Sequence, residues 1–224
     1  MTDQEITKQE MTQNLDAPWA IGKENYSIFT MHLSNKVKNI FEAGSGYSTI
    51  NLAADFPNCQ ITSLEESLEY TNKNRNLLTK SEVKNANIYY CPISVQLLNG
   101  VWARTYKVPD ELKRTEIDAL LIDGPTERRY PGAREAVLYF LFPQCKVGAI
   151  IALDDFHRQT AKLAVKRWQT RHKDELKQVF SSNTLVIFEK VASKGKSGIY
   201  PHLILVTLPK QLKNLLRKFL SLMK

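Results

Sequence analysis

Residues 37–66 read VKNIFEAGSGYSTINLAADFPNCQITSLEE, and their rhythm decides the architecture. VKNIFEAGSG (37–46) is an apolar run ending in glycines, as expected of a buried strand that closes in a tight turn. YSTINLAAD (47–55) has the make-up of a helix, and CQITSLEE (59–66) is a second run rich in β-branched and apolar residues. Strands this uniformly apolar have no polar face to offer water, so both sides of their sheet must be covered.

The alternation continues outward from this unit. SLEYTNKNRNLLTKSE (67–82) is helical in composition and NANIYYCPI (85–93) is strand-like. IDALLID (117–123) is a third strongly apolar run, bounded by Gly124-Pro125, and GAREAVLYFLFP (132–143) reads as an apolar helix. VGAIIALDD (147–155) is another strand and RQTAKLAVKRWQTRH (158–172) an amphipathic helix. KQVFSSNTLVIFEKV (177–191) divides into two strands around Ser182-Asn183. Upstream, Ile28, Met31 and Leu33 predict a short helix between Glu24 and Lys36, while 94–114 has no clear period. The pattern predicts an α/β fold: a doubly wound, mostly parallel seven-stranded sheet with an antiparallel strand pair at one edge. Ligands of such sheets bind beyond the carboxyl ends of the strands.

With 224 residues, 43% of them hydrophobic and 24% charged, the chain can bury a core of its own, which excludes a wholly disordered or fibrous protein. Residues 1–22 read as a polar lead-in and 23–191 as the folded domain. Residues 192–224 read as a loop followed by a basic amphipathic extension. In that tail Leu212, Leu215, Leu216, Phe219, Leu222 and Met223 share a face, so 209–224 suits either peripheral contact with anionic lipid or packing on the domain or a second subunit. The net charge of +8 is compatible with nucleic acid, a membrane surface or an acidic substrate, and equally with solubility alone. No platform of interleaved basic and aromatic residues supports the nucleic-acid reading. Three cysteines without CxxC spacing argue against a disulfide framework or zinc cluster and for a reducing compartment. Nothing at the start of the sequence resembles a signal peptide, so a cytoplasmic location is expected.

Several groups of residues carry chemistry. The Gly44-Ser45-Gly46 turn sits between strand and helix, where glycines let a ligand approach the backbone. A dinucleotide fingerprint would want glycine at position 49, which is Thr49, so an NAD-dependent oxidoreductase loses support. Glu42, just before the turn, suits a cationic ligand better than a phosphate. Glu65-Glu66 closes the second strand, placed to bind both hydroxyls of a ribose; capping of the helix from Ser67 is the plainer alternative. Asp123, with Asp154 and Asp155 on the next strand, brings three carboxylates to one rim. They repel one another unless a proton or cation intervenes, and Mg²⁺ or another divalent cation takes such oxygen ligands. His157 either acts as a general base or is a surface residue of the loop. Arg128, Arg129 and Arg134 either line a substrate mouth or are solvated charges.

IFEAGSGYSTINLA with ITSLEESLEYTNKNRNLL resembles the first two motifs of the Rossmann-like (class I) S-adenosylmethionine-dependent methyltransferases. IDALLIDGP and GAIIALDDFHR are similar to that family's fourth- and fifth-strand motifs in its O-methyltransferase branches. The resemblance spans about residues 37–191 in the family's order. It implies that Glu42, Gly44, Ser45, Gly46 and Ser48 hold the amino-acid end of S-adenosylmethionine, and that Glu65, with Glu66 as the alternative register, takes the ribose. Asp123 would also face the cofactor, and adenine would lie around Cys91–Ser94. Catalysis would rest on Asp123, Asp154 and His157, with Asp123, Asp154 and Asp155 as the metal set; Asp155 stands where catechol-type enzymes carry Asn. The acceptor implied is a hydroxyl of a small molecule, sugar or glycan intermediate. Asp123-Gly124-Pro125-Thr126 departs from the Asn/Asp-Pro-Pro-aromatic motif of amino-methylating enzymes. An RNA or other N-methyltransferase and a membrane-peripheral cofactor-binding module are the competing readings, and a homo-oligomer is compatible with the tail.

Overall fold

The computed structural model describes residue 15 and residues 20–98 and 101–194. Its elements, in chain order, are α1 (Lys23–Met31), β1 (Asn39–Ala43), α2 (Tyr47–Asp55), β2 (Gln60–Glu65), α3 (Leu68–Lys80) and β3 (Ala86–Tyr90). Then follow β4 (Ile93–Leu98), β5 (Val101–Tyr106), β6 (Ile117–Ile122), α4 (Ala133–Leu141), β7 (Cys145–Leu153), α5 (Gln159–Arg171), β8 (Leu176–Ser181) and β9 (Val186–Lys190). The amphipathic segment expected over 209–224, and nearly all of the lead-in, lie outside the described residues.

Seven strands form one sheet in the order β3-β2-β1-β6-β7-β9-β8. β1, β2, β3, β6 and β7 are parallel neighbours, and β9 runs antiparallel to both β7 and β8. The doubly wound mixed sheet expected from the alternation is what forms, including the antiparallel pair at one edge. The later of the two last strands is inserted between β7 and β8, an order that strand patterns do not encode.

Alternation of side chains along the central strands splits the core in two. Phe41, Ala43, Leu64, Leu120, Ile122, Ile151 and Leu153 feed one cluster, covered by α4 and α5 through Val137, Leu138, Ala164 and Trp168. Ile40, Ile61, Ala119, Leu121, Ala152 and Ile187 feed the other, covered by α1, α2 and α3 through Phe29, Leu52 and Leu78. Leu15 and Ile21, from the stretch read as a polar lead-in, also pack into this second cluster. Trp168 is fully buried and donates its indole N–H to the Glu135 carbonyl at 3.2 Å, so its polar atom is satisfied within the apolar layer.

Residues 94–114, which lack a clear period, hold an antiparallel hairpin, β4–β5, separate from the main sheet. The register runs from Ile93 opposite Tyr106 to Leu98 opposite Val101. Ala103 and Tyr106 of β5 join the cluster under α4.

Candidate functional site

Strand register decides which side chains meet. Ala43 pairs with Leu64 on one side and Ile122 on the other, and Ile122 pairs with Leu153. The residues that follow these four, Gly44, Glu65, Asp123 and Asp154, therefore form one row along the carboxyl rim. Neighbouring strands lie about 4.8 Å apart, so a single small ligand can touch several members of the row.

The glycine turn has a packed side and an open side. Gly44 has φ +99° and donates its N–H to the Leu64 carbonyl at 2.9 Å. A Cβ on Gly44 would come within 3.1 Å of the Gly124 nitrogen, and one on Gly124 would come within 2.8 Å of the Gly44 nitrogen. The turns after β1 and β6 thus abut backbone to backbone, which only glycine allows. A Cβ on Gly46 would meet nothing within 4 Å. Gly46 is bare toward open space, as a ligand cradle requires.

Glu42 is 1% exposed. Its carboxylate accepts from the hydroxyls of Ser48, Thr49 (2.5 Å) and Ser63 (2.7 Å). Burial pushes its carboxyl up to about 7, although the three hydroxyls oppose the shift. Glu42 and Ser48 are engaged with each other and brace the turn from beneath.

The paired acids after β2 separate in role. Glu65 accepts from the Ser45 hydroxyl at 2.7 Å and the Ser67 N–H at 2.9 Å, and Asn74 donates its amide to the Ser45 oxygens at 2.9 and 3.1 Å. Burial holds the Glu65 carboxyl above its usual range. Glu65 is therefore tied to the glycine turn. Glu66 instead accepts from the Thr126 N–H at 3.0 Å and hydroxyl at 2.9 Å, and from the Tyr106 hydroxyl at 3.3 Å. It latches the loop after β6 to the end of β2.

Asp123, Asp154 and Asp155 bring carboxylate oxygens within 4.8 Å of one another. Burial, then the Asp123 and Asp155 charges, push Asp154 up to about 7; burial likewise raises Asp123 to about 6, with the Arg134 charge opposing. Each acid has a different partner. Asp154 accepts the Asn25 amide at 2.7 Å, and Asn25 in turn accepts from the Thr184 hydroxyl at 3.0 Å. Asp155, at φ +58°, is held by Arg134 at 2.8 Å and Arg158 at 2.9 Å. Asp123 lies 3.6 Å from Arg134.

The sequence does not show the pairing of either Asn25 or Arg134 with these acids. Asn25 comes from α1, 129 residues from Asp154, and carries no motif. Arg134, for which the sequence leaves open a substrate mouth or a solvated charge, is instead buried, with its Nε donating to the Pro125 carbonyl at 3.0 Å. Arg128, Arg129 and His157 are exposed, in the turns after β6 and β7. Cys91 is fully buried in the cluster beneath α4, and its N–H donates to the Glu65 carbonyl at 2.7 Å.

No protein-family model and no curated protein sequence matches the chain. Solved structures do. The O-methyltransferase TomG from Streptomyces achromogenes, involved in tomaymycin synthesis and solved with SAM, superposes with a TM-score of 0.59 at 12% identity, covering 86% of this chain and 91% of its own. An O-methyltransferase from Bacillus cereus in complex with SAH gives 0.55 at 16% identity over 83% and 89% of the two chains. A precorrin-6y C5,15-methyltransferase from Geobacter metallireducens gives 0.55 at 17% identity over 79% and 92%. The fold is the Rossmann-like methyltransferase fold that the strand pattern and motifs led one to expect.

Proposed function

We propose that the protein is an S-adenosylmethionine-dependent methyltransferase acting on a hydroxyl of a small molecule, sugar or glycan intermediate. The observation that carries this reading is the row of Gly44, Glu65, Asp123 and Asp154 along one rim, beside a turn bare at Gly46. The SAM and SAH complexes of two structural neighbours support the same ligand. Held there by the glycine turn and Glu65, S-adenosylmethionine would supply an electrophilic methyl: the acceptor oxygen would form the new C–O bond as the S–CH3 bond breaks, with S-adenosylhomocysteine as leaving group and the hydroxyl proton passing to a side-chain base.

The chain's own residues bind and align. The Gly44–Gly46 backbone receives the amino-acid end, with Glu42 and Ser48 holding the turn in shape from below. Glu65 takes the ribose hydroxyls; its hydrogen bonds to Ser45 and Ser67 orient it, whereas Glu66 is occupied by Thr126. Asp154, raised to about 7, can take up a proton near neutrality, and Asn25 fixes one of its oxygens. His157 is the second candidate for proton acceptance, and Asp123 is assigned both to cofactor binding and to catalysis. Much of the rate would come from alignment.

The three aspartates offer the oxygen-only set that a hard ion prefers. As placed, they do not fit one. Two of the three already have guanidinium partners, Asp155 with Arg134 at 2.8 Å and Arg158 at 2.9 Å and Asp123 with Arg134 at 3.6 Å, and an ion would have to displace them from the oxygens it needs. Proton transfer is therefore assigned to side chains alone. Oxygen as acceptor is supported by Asp123-Gly124-Pro125-Thr126 in place of the motif expected for nitrogen; the fold itself is shared with a precorrin methyltransferase. No helix among the described residues is long and apolar enough to cross a membrane. The direct test is calorimetry of the full chain with S-adenosylhomocysteine and with NAD. Binding of the first and not the second is expected, and the reverse would overturn the proposal.

A further inference from the structure

Arg134 is the second residue of α4, where a positive charge opposes the helix macrodipole. A residue that breaks a local preference and is nevertheless 8% exposed is held there by tertiary partners. All three of its nitrogens point to oxygen: Nε to the Pro125 carbonyl at 3.0 Å, Nη1 to Asp155 at 2.8 Å, and Nη2 toward Asp123 at 3.6 Å. The Pro125 contact belongs to the loop that Glu66 latches through Thr126, so the guanidinium is anchored on both sides. Arg158 adds a second positive group on Asp155 at 2.9 Å. The planar guanidinium fork suits this bridging of carboxylates, and it carries its charge at any working pH.

We propose that Arg134 is a built-in counter-cation of the Asp123 and Asp155 members of the acidic cluster, occupying the carboxylates that a divalent ion would need, so that this chain binds methyl donor and acceptor without metal. This rests on the methyltransferase reading for its consequence in catalysis, but the charge replacement is testable apart from it. A lysine could not reproduce the arrangement, because one ammonium cannot reach both acids and the carbonyl with separate, fixed donors. Arg134 is thus a positioning residue: it offsets the charge of Asp123 and Asp155 and links their carboxylates across the rim.

The experiment titrates Mn²⁺ into the full chain and reads the free ion by electron paramagnetic resonance, with S-adenosylhomocysteine affinity measured by calorimetry on the same samples. Wild type should leave Mn²⁺ free up to about 1 mM, whereas Arg134→Gln should take up one ion per chain at least about tenfold more tightly. Adding Asp155→Asn to that variant should abolish the gain. Uptake of one Mn²⁺ per wild-type chain below about 100 µM, lost in Asp155→Asn, would overturn the proposal. So would a folded Arg134→Gln that ignores the ion as wild type does. Should that variant not fold, Arg134→Met carries the same comparison, and the wild-type titration decides on its own. Loss of S-adenosylhomocysteine binding in wild type would count against the methyltransferase reading and leave the Mn²⁺ comparison intact.

Discussion

Replacing Glu42 by Gln should change how stability depends on pH more than it changes stability at any one pH. The carboxyl lies at 1% exposure among three hydroxyls, and its folded-state value is raised from 4.5 to about 7 because burial outweighs those hydrogen bonds. Between these two values the folded chain retains a proton that the unfolded chain has released. Each step toward higher pH therefore favours unfolding, and the contribution of this proton is complete below about 4.5 and gone above about 7. The displacement amounts to about 3 kcal/mol at 1.36 kcal/mol per unit. Glutamine keeps the volume and an acceptor oxygen and does not titrate. Urea denaturation of both proteins at intervals from pH 4.5 to 8 measures the difference. The Gln variant should gain about 3 kcal/mol on wild type across that span, mostly before pH 7. Parallel curves would refute the account of Glu42 as a buried acid that must ionise against its surroundings, whatever the absolute stabilities.

The glycines should divide by function. Gly46→Ala, with open space at its Cβ, should unfold within about 0.5 kcal/mol of wild type yet bind S-adenosylhomocysteine at least about tenfold more weakly, read by denaturation and calorimetry. Gly124→Ala would press a methyl against the Tyr106 hydroxyl at 2.5 Å and the Gly44 nitrogen at 2.8 Å, and should lose about 1–3 kcal/mol in the same denaturation assay. Glu65→Ala should weaken S-adenosylhomocysteine by about 10- to 100-fold, the worth of a charged hydrogen bond, while Glu66→Ala should weaken it less because that acid is committed to Thr126. Trp168→Ala should cost about 3–5 kcal/mol of stability, by denaturation, without a matching change in ligand affinity in the variant that remains folded.

Much of this was readable from short windows of sequence. Apolar runs of strand length, glycines at their ends and helix-like spacers predicted the sheet, because side-chain period and turn chemistry are properties of neighbouring residues. The acids at 42, 65, 123 and 154 were found the same way, by their place at the ends of those runs. The β4–β5 pair is not legible in the sequence, since its strands alternate weakly and join no large sheet. Partnership among the site residues was beyond local reading. That Asn25 braces Asp154, that Glu66 serves Thr126 while Glu65 serves the glycine turn, and that Arg134 fills the acidic cluster all follow from register and helix placement. A strand end announces an acid by its own pattern, but which partner comes to rest beside it depends on separate elements, 21 residues away for Arg134 and Asp155 and 129 for Asn25 and Asp154, and only the folded chain brings them within hydrogen-bonding distance.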